Sequence, residues 1–537
     1  MAQQVAPPTA DELVARPLSV NGRAIPTDEI RRQLIHDVGQ PMLDGILSRF
    51  FVEHRADIAK LATESAAVAV ALDPVPEPTD EEIAIVLRDA TKHFEPRTPA
   101  TIEAWTRRLY QSVDWYPRVM REHLRFNSVF LANDPKRWPD VTVEAVRRLH
   151  EDDPQETVAY DLDVFRERAA RNGEPLVAEQ SMWWPLFRDA AQSVWLKRWN
   201  VRTALDGLSC DRILSIDIDG DGAADWELRT ADAWSEVAGG IDPCDVSNTR
   251  RWLAASRAIR DQLERDGASV DARSAAKFIA ELEARARGAC SRVDHERHAR
   301  ELGFPSALAY CEYRELEESF RVLVDRHLAA NPPGRLVDVY NAKGARATDR
   351  LLGGQATAEF LLVSAFDSDR GTWKPNGWSS AAARAETIHA ALTAAGSSAT
   401  AWNDQVAAHS EFWQAPSMSC LGPVILDGPK RPRRALQSFD DWDRALAESP
   451  YTRISNGFSL ADHARYEQPV GTIEGPFRGP HGFYFVNVLS RKPAKRKLRA
   501  DDVTAVRFIR DECLRLTFLD YAREALAQAD IQGLEDR

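Results

Sequence analysis

The residues best suited by type and spacing to do chemistry lie at 217–225, where D-I-D-G-D-G-A-A-D sets Asp217, Asp219, Asp221 and Asp225 at loop positions 1, 3, 5 and 9. Gly222 at position 6 permits a tight turn and Ala223 at position 7 completes the set, the pattern in which hard oxygens surround a calcium ion. Position 12, a bidentate Glu in an EF-hand, is Leu228, with Glu227 one residue early, so an EF-hand is not expected. The flanks at 213–216 and 226–228 read as strands. That leaves a short Asp-Gly calcium loop with a structural role, or an acidic turn that holds no ion.

Other constellations carry a bland reading beside the chemical one. His295, Glu296, His298 and Glu301 fall at helical spacing, yet HExxH is absent and a solvated charged face accounts for them. Trp183, Trp184, Phe187, Trp195 and Trp199 are either an ordinary helical core or a greasy surface for unfolded chains. The Pro-broken basic run at 428–434 is a solvated loop or a dock for an acidic partner. No G-x-S-x-G, Walker A or dinucleotide fingerprint stands in usable context, so hydrolase, nucleotide and redox readings lack support. The six cysteines (Cys210, Cys244, Cys290, Cys311, Cys420, Cys513) are far apart and form no CxxC, which argues against a zinc knuckle or a redox pair. They read as free thiols, with a Cys210–Cys244 bridge as the alternative.

The elements that must position these residues belong to a chain of 537 residues, 44% hydrophobic and 28% charged. That is too long for one ordinary domain and sufficient for two to four. A net charge of -13 gives no general grip on a phosphate backbone, so nucleic acid is not an expected partner. No apolar run reaches the roughly 18 residues of a membrane span. The polar, Pro-rich opening M-A-Q-Q-V-A-P-P is what remains when an export signal has been removed.

Along the chain, 1–18 reads as a loose leader. The block at 19–150 is mostly helical: a short strand, an Asn21-Gly22 turn, a helix begun at Thr27, apolar residues at Leu43, Ile46, Leu47 and Phe50, and a capping box from Thr79 to Glu82. The middle region at 151–245 holds the tryptophans and the Asp loop. A second helical segment at 246–345 carries Leu316, Phe320, Leu323 and Val324 and ends at the N-P-P-G break at 331–334. The segment at 346–495 opens on the strand F-L-L-V at 360–363, continues through an Ala-rich helix from 379 to about 395, and reaches the strand at 482–489. A closing helix at 496–537 carries Val506, Ile509, Cys513 and Leu516 on one stripe. The fold class is α+β, helical segments with a small antiparallel sheet.

Three pieces of this pattern together resemble the SurA/PrsA/PpiD group of extracytoplasmic foldases. V-N-G-x-x-I-x-x-x-E-I at 20–30, with P-T-D-E-E-I at 78–83, looks like the group's N-terminal chaperone segment. T-A-E-F-L-L-V at 357–363 stands where parvulin-type prolyl isomerases open with R-A-S-H-I-L-V. V-G-T-I-E-G-P-F at 470–477, followed by G-F-Y-F-V at 482–486, resembles the parvulin ending V-G-E-I-S-G-P-V and F-G-Y-H-I-I. The resemblance covers about half of the chain; it implies a parvulin-like domain at 346–495 with an insertion at about 422–455, and a closing helix that packs back onto the chaperone part.

The departures bear on activity. Parvulins place two histidines on facing strands under the prolyl bond, with a Cys or Asp nearby; here those positions fall on Phe360, Tyr484 and Phe412. The apolar walls of the proline pocket fall on Gly457 and Ala461, and a third aromatic position survives as Tyr466. Isomerisation must lower a barrier of about 18–20 kcal/mol, for which phenylalanine supplies no hydrogen-bond donor. A remnant pocket of Phe360, Phe412, Tyr466, His481 and Tyr484 is expected, with Tyr484 and His481 as donors if any isomerase activity survives.

The functional expectation is a chaperone for unfolded or nascent exported polypeptides, periplasmic or otherwise exported, with a catalytically degenerate parvulin domain. It requires no cofactor, takes calcium structurally if at all, and is a candidate dimer. The alternatives are an active isomerase with replaced residues and an assembly module with one dedicated partner.

Overall fold

A computed structural model describes residues 8–56, 75, 77–91, 98–110, 112–130, 141, 143–145, 171, 183–268, 295–330, 355–367, 370, 372–396, 398–411, 446, 448–492 and 518–534. They form a helix-rich mixed α+β protein with small antiparallel sheets. The chain groups into two compact units. A terminal unit unites Met1–Ile30, Asp242–Lys277 and His295–Arg537; an inserted unit comprises Arg31–Ile241 and Phe278–Asp294. Compactness thus cuts the chain differently from the consecutive segments read from sequence: the first thirty residues go with the C-terminal half.

In the terminal unit, Asn21 (φ 51°) and Gly22 (φ 75°) form the left-handed turn that the Asn-Gly pair announces, joining strands Ser19–Val20 and Arg23–Ala24. The first of these also pairs with Ile531–Gln532, and Asn21 exchanges main-chain and side-chain bonds with Asp530. The helix Pro243–Arg265 lies beneath, capped by Asp242, whose carboxylate accepts from the Cys244 amide at 2.8 Å. From its buried face Arg250 donates Nη1 to the carbonyls of Leu13 (3.0 Å) and Arg16 (2.9 Å), and Nη2 to those of Pro17 (3.2 Å) and Gly533 (2.8 Å). Phe518 and Tyr521 pack on Phe320 of the helix Ala307–Ala330, and Phe518 also meets Tyr313. The C-terminal helix thus packs on Ala307–Ala330, and it is the strand Ile531–Gln532 after it that returns to the N-terminal region; the stripe Val506, Ile509, Cys513 and Leu516 lies outside the described residues.

The main sheet of this unit is antiparallel, with Gly482–Lys492 between Gln355–Ser364 and Ile473–Arg478. Alternation sends Leu361, Val363 and Phe485 toward the helices Gly377–Ala394 and Ala399–His409, where Trp378, Ala385, Ile388 and Trp402 meet them. Phe360, Leu362, Tyr484, Val486 and Val488 face the other way, onto Leu446, Leu460, Ala461 and Ala464. Burial on both faces is why 360–363 reads as an unbroken apolar run rather than an alternating one.

In the inserted unit, helix Gln40–Glu53 packs on helix Trp115–Phe130, with Gly45 against Val119. Their aromatic core joins Phe51 to Trp199 (stacked, 5.6 Å) and Phe126 to Phe130 (4.7 Å). Phe187 and Trp199 are buried core, as helical spacing suggests; the side chains of Trp183, Trp184 and Trp195 lie outside the described set. The Thr79–Glu82 capping box forms, with the Thr79 amide 2.8 Å from Glu82 and the Glu82 amide 3.2 Å from Thr79. A three-stranded antiparallel sheet, Asn200–Thr203, Arg212–Asp217 and Trp226–Arg229, completes the unit and carries the Asp loop.

Cys210 and Cys244 are free thiols, which removes the bridge considered from sequence: Cys244 is committed to the sheet core beside Leu361 and Trp378. Among the described residues no helix is long and apolar enough to cross a membrane. Arg250→Met would leave four main-chain carbonyls without their donor. It is expected to destabilise the terminal unit by about 3–5 kcal/mol and to expose 10–25 and 518–533 to protease together. Urea denaturation with limited proteolysis checks this; an unchanged midpoint would refute the keystone role.

Candidate functional site

Register places the two positions that the parvulin resemblance assigns to histidines side by side. Phe360 pairs with Val486 and Leu362 with Tyr484 on adjacent antiparallel strands, so Phe360 and Tyr484 are diagonal neighbours on one face. Both are wholly buried. The cover is the segment from Leu460 to Glu467, a short helix running into a π-turn at His463–Glu467. The small side chains of Ala461 and Ala464 bring its backbone close to the sheet. Glu448 holds its start, accepting from Ser459 Oγ (3.0 Å) and from the amides of Leu460 (2.6 Å) and Ala461 (3.1 Å). Arg491 holds its end, donating to the carbonyls of Ala464 (3.2 Å) and Gln468 (2.7 Å).

The turn before the central strand is shaped around Tyr484. A Cβ on Gly479 would stand 2.3 Å from the phenol ring, and one on Gly475 (φ 137°) would stand 2.7 Å from the Tyr484 carbonyl. A side chain at either position would collide with Tyr484, which makes glycine the residue required at both. The Tyr484 hydroxyl is enclosed and without a hydrogen-bond partner among the described residues. Burial, with the Glu448 charge adding to it, pushes the phenol far above its ordinary range, so it is a neutral donor only.

The expected pocket residues therefore do not line an open cleft. Phe360 and Tyr484 are core because the 460–467 segment lies directly on them, and Tyr466 of that segment is itself 2% exposed. Gly457, expected as a pocket wall, ends the helix Pro450–Asn456 with φ 60°. Phe412 lies outside the described residues, as do the basic run at 428–434 and residues 422–445 of the insertion expected at about 422–455. His481 sits apart, its ring against Phe366 at 5.4 Å and its Nδ1 enclosed without a partner. Burial brings it down to about 4, a neutral imidazole near pH 7.

What remains partly open beside this core is a cluster that the sequence reading did not find. Phe458 stacks on Phe477 (4.9 Å, 21°), and His463 lies against both at 5.3 and 5.0 Å. His463 Nε2 is 2.8 Å from Glu474 and Nδ1 is 3.4 Å from Glu467. Burial pulls this imidazolium down, but the hydrogen bonds and charges of the two glutamates outweigh it and hold His463 above its ordinary value. The available signal was the His463–Glu467 spacing of four; the Glu474 contact crosses from the π-turn to a strand and left no local mark.

In the Asp loop, carboxylate oxygens of Asp217, Asp219 and Asp225 lie within 4.8 Å of one another. Asp217, buried at the end of its strand, accepts from the amides of Gly220 (2.7 Å) and Gly222 (3.0 Å); these bonds outweigh burial and hold its pKa below the usual value. Asp225 accepts from the Ile218 amide (2.6 Å) and Asp219 from the Asp221 amide (3.1 Å). Asp221 turns instead to the amide of Ala223 (2.7 Å). The His295–Glu301 stretch gathers no comparable set: His298 packs edge-on against Tyr310, and Glu296 accepts from the amide that starts the next helix, at Ala307.

The chain matches no protein-family profile, no curated protein and no solved structure at a significant level. Removing the enclosed Tyr484 hydroxyl relieves its desolvation while the ring is kept. Tyr484→Phe is therefore expected to raise the stability of the terminal unit by about 1 kcal/mol. A drop of that size in chemical denaturation would mean that the hydroxyl has a partner.

Proposed function

We propose that the chain is a chaperone of the extracytoplasmic foldase type, one that binds unfolded or nascent exported polypeptides and uses its parvulin-like sheet as a platform rather than as an isomerase. One observation carries this reading. The two strands that match the parvulin motifs are antiparallel neighbours, and the two histidine-equivalent positions share one face, yet they are an apolar ring and a sealed phenol. Such a pair can hold a sheet together but cannot orient donors on a client's amide. The union of the first and last strands in one unit supports the same reading, since the resemblance implies a closing segment that returns to the N-terminal part. Client affinity would then come from apolar contacts along helices and sheet, with the partly open Phe458–Phe477 pair the accessible portion beside the sheet.

For the Asp loop we propose a structural calcium ion, held by Asp217, Asp219 and Asp225. Three carboxylates this close repel one another, and a divalent cation offsets that repulsion with the oxygen ligands it prefers.

Two measurements test these readings. With Xaa-Pro peptides the full chain is expected to show no isomerisation above background, and with a chemically denatured client it is expected to suppress aggregation at near-stoichiometric ratios. Turnover that collapses in Tyr484→Phe would make the protein an isomerase, and the absence of both activities would favour a dedicated-partner module. Calorimetric titration of the metal-stripped chain should reveal one calcium site that Asp217→Asn weakens at least tenfold; no heat with the wild type removes the ion from the account.

A further inference from the structure

We propose that the inserted unit is an acid-opened element: mild acid loosens its helices while the terminal unit keeps its fold. The basis is the placement of two imidazoles. His123, on helix Trp115–Phe130, is 5% exposed, and neither ring nitrogen has a hydrogen-bond partner. His36, near the end of helix Thr27–Asp37, has its Nε2 enclosed and equally without a partner. Among the described residues neither is offered a carboxylate. Around His123, helix Gln40–Glu53 carries Asp44, Arg49 and Glu53. Asp44 accepts from Gln40, and Arg49 pairs with Glu236 and Glu122. Helix Pro99–Tyr110 carries the internal pair Glu103–Arg107, and on its own helix Arg125 pairs with Glu122 and Arg121 with Asp80. Helix Trp183–Arg198 brings Arg188, bonded to Asp189, and it is this guanidinium that acts on His123. Around His36, Arg32 reaches the Leu208 carbonyl, Arg31 lies over Trp234, and Asp37 is engaged by Gln33 at 2.9 Å. Arg32 is the charge that acts on the ring.

An imidazole held this way must stay neutral in the fold and gains its proton only on opening. Burial first, and the arginines second, bring His36 down to about 4 and His123 well below its ordinary 6.5. From pH 6.5 downward the open state therefore binds up to two more protons than the closed one, and stability falls with pH. Glu122, raised by burial, offsets part of this at the acid end.

The terminal unit has the opposite sign. Asp245 accepts from Trp373 Nε1 (3.0 Å) and Glu312 from Trp252 Nε1 (2.7 Å). Burial carries each carboxyl up to about 7, with Asp242 adding to the first, and Glu29 and Glu315 to the second, against the indole bonds and Arg260. Between pH 7 and 4 the folded unit holds protons that the open chain releases, so acid stabilises it. His463 adds to this, its stabilisation being full below 6.5 and lost as pH rises through its raised folded value. His481 opposes it, one group against three.

Hydrogen exchange by mass spectrometry on the full chain from pH 7.5 to 4.5, corrected for intrinsic exchange rates, tests this. The opening constant for peptides of Gln40–Glu53 and Trp115–Phe130 is expected to rise steeply below pH 6, by up to about a hundredfold per pH unit. Peptides of Gln355–Ser364 and Gly482–Lys492 should keep or gain protection. His123→Gln and His36→Gln should each reduce the slope to about tenfold per unit; two variants are used because either may fold poorly. A flat response in the inserted unit, loss of protection in both units together, or a slope that neither folded variant changes overturns the proposal.

Discussion

The guanidinium of Arg250 is the contact on which the terminal unit depends. Five N–H groups in a planar fork suit a site where several carbonyls converge and no carboxylate is at hand. Four carbonyls do converge there, from Leu13, Arg16, Pro17 and Gly533, the first of them also accepting from the Arg16 amide at 3.3 Å. The segments they come from are short, too small to bury much apolar surface alone. A fixed cation gives these acceptors a common donor and so turns weak segments into a cooperative layer over the helix Pro243–Arg265. Asp261 extends that helix's hold by accepting from Asn21 and Arg23.

The same economy of backbone satisfaction governs the sheet. Glu448 supplies the amides at the start of the 460–467 segment and Arg491 takes the carbonyls at its end. Gln468 adds bonds to the carbonyls of Thr472 (2.8 Å) and Val486 (2.9 Å). A π-turn is a poor hydrogen-bonder on its own and is found chiefly where surrounding groups hold it. Here it is secured at both ends, which keeps the cover on Phe360 and Tyr484 and leaves that face of the sheet closed.

Much of the fold was legible locally, because local chemistry decides it. Asn21-Gly22 had few alternatives to a left-handed turn, Thr79 and Glu82 announced a helix start, and F-L-L-V announced an apolar strand. The spacing of the Asp loop likewise brought Asp217, Asp219 and Asp225 together. What was hidden depends on pairs remote in sequence. Arg250 is one arginine among many until Leu13 and Gly533 are brought to it, and Glu448 falls inside the segment that reads as an insertion. Tyr484 and Phe360 were correctly set on neighbouring strands, but whether the layer above them is open or filled follows from Ala461 and Ala464. Those two small residues carry no signal of their own. The division into units was hidden for the same reason, since the strand that belongs beside Ser19–Val20 is written at the far end of the chain.

That last pairing has a consequence for biogenesis. Asn21 meets Asp530 across 509 positions, so a nascent chain elongating at about 5–20 residues per second leaves the outer edge of Ser19–Val20 without its Ile531–Gln532 partner for roughly half a minute to two minutes. Over that interval the inserted unit, whose described elements are complete by Ile241, can fold during synthesis while the terminal unit waits for its final strand. The order of assembly is thereby written into the topology: the interior of the sequence can mature first, and the strand pairing that joins the two outermost segments forms last.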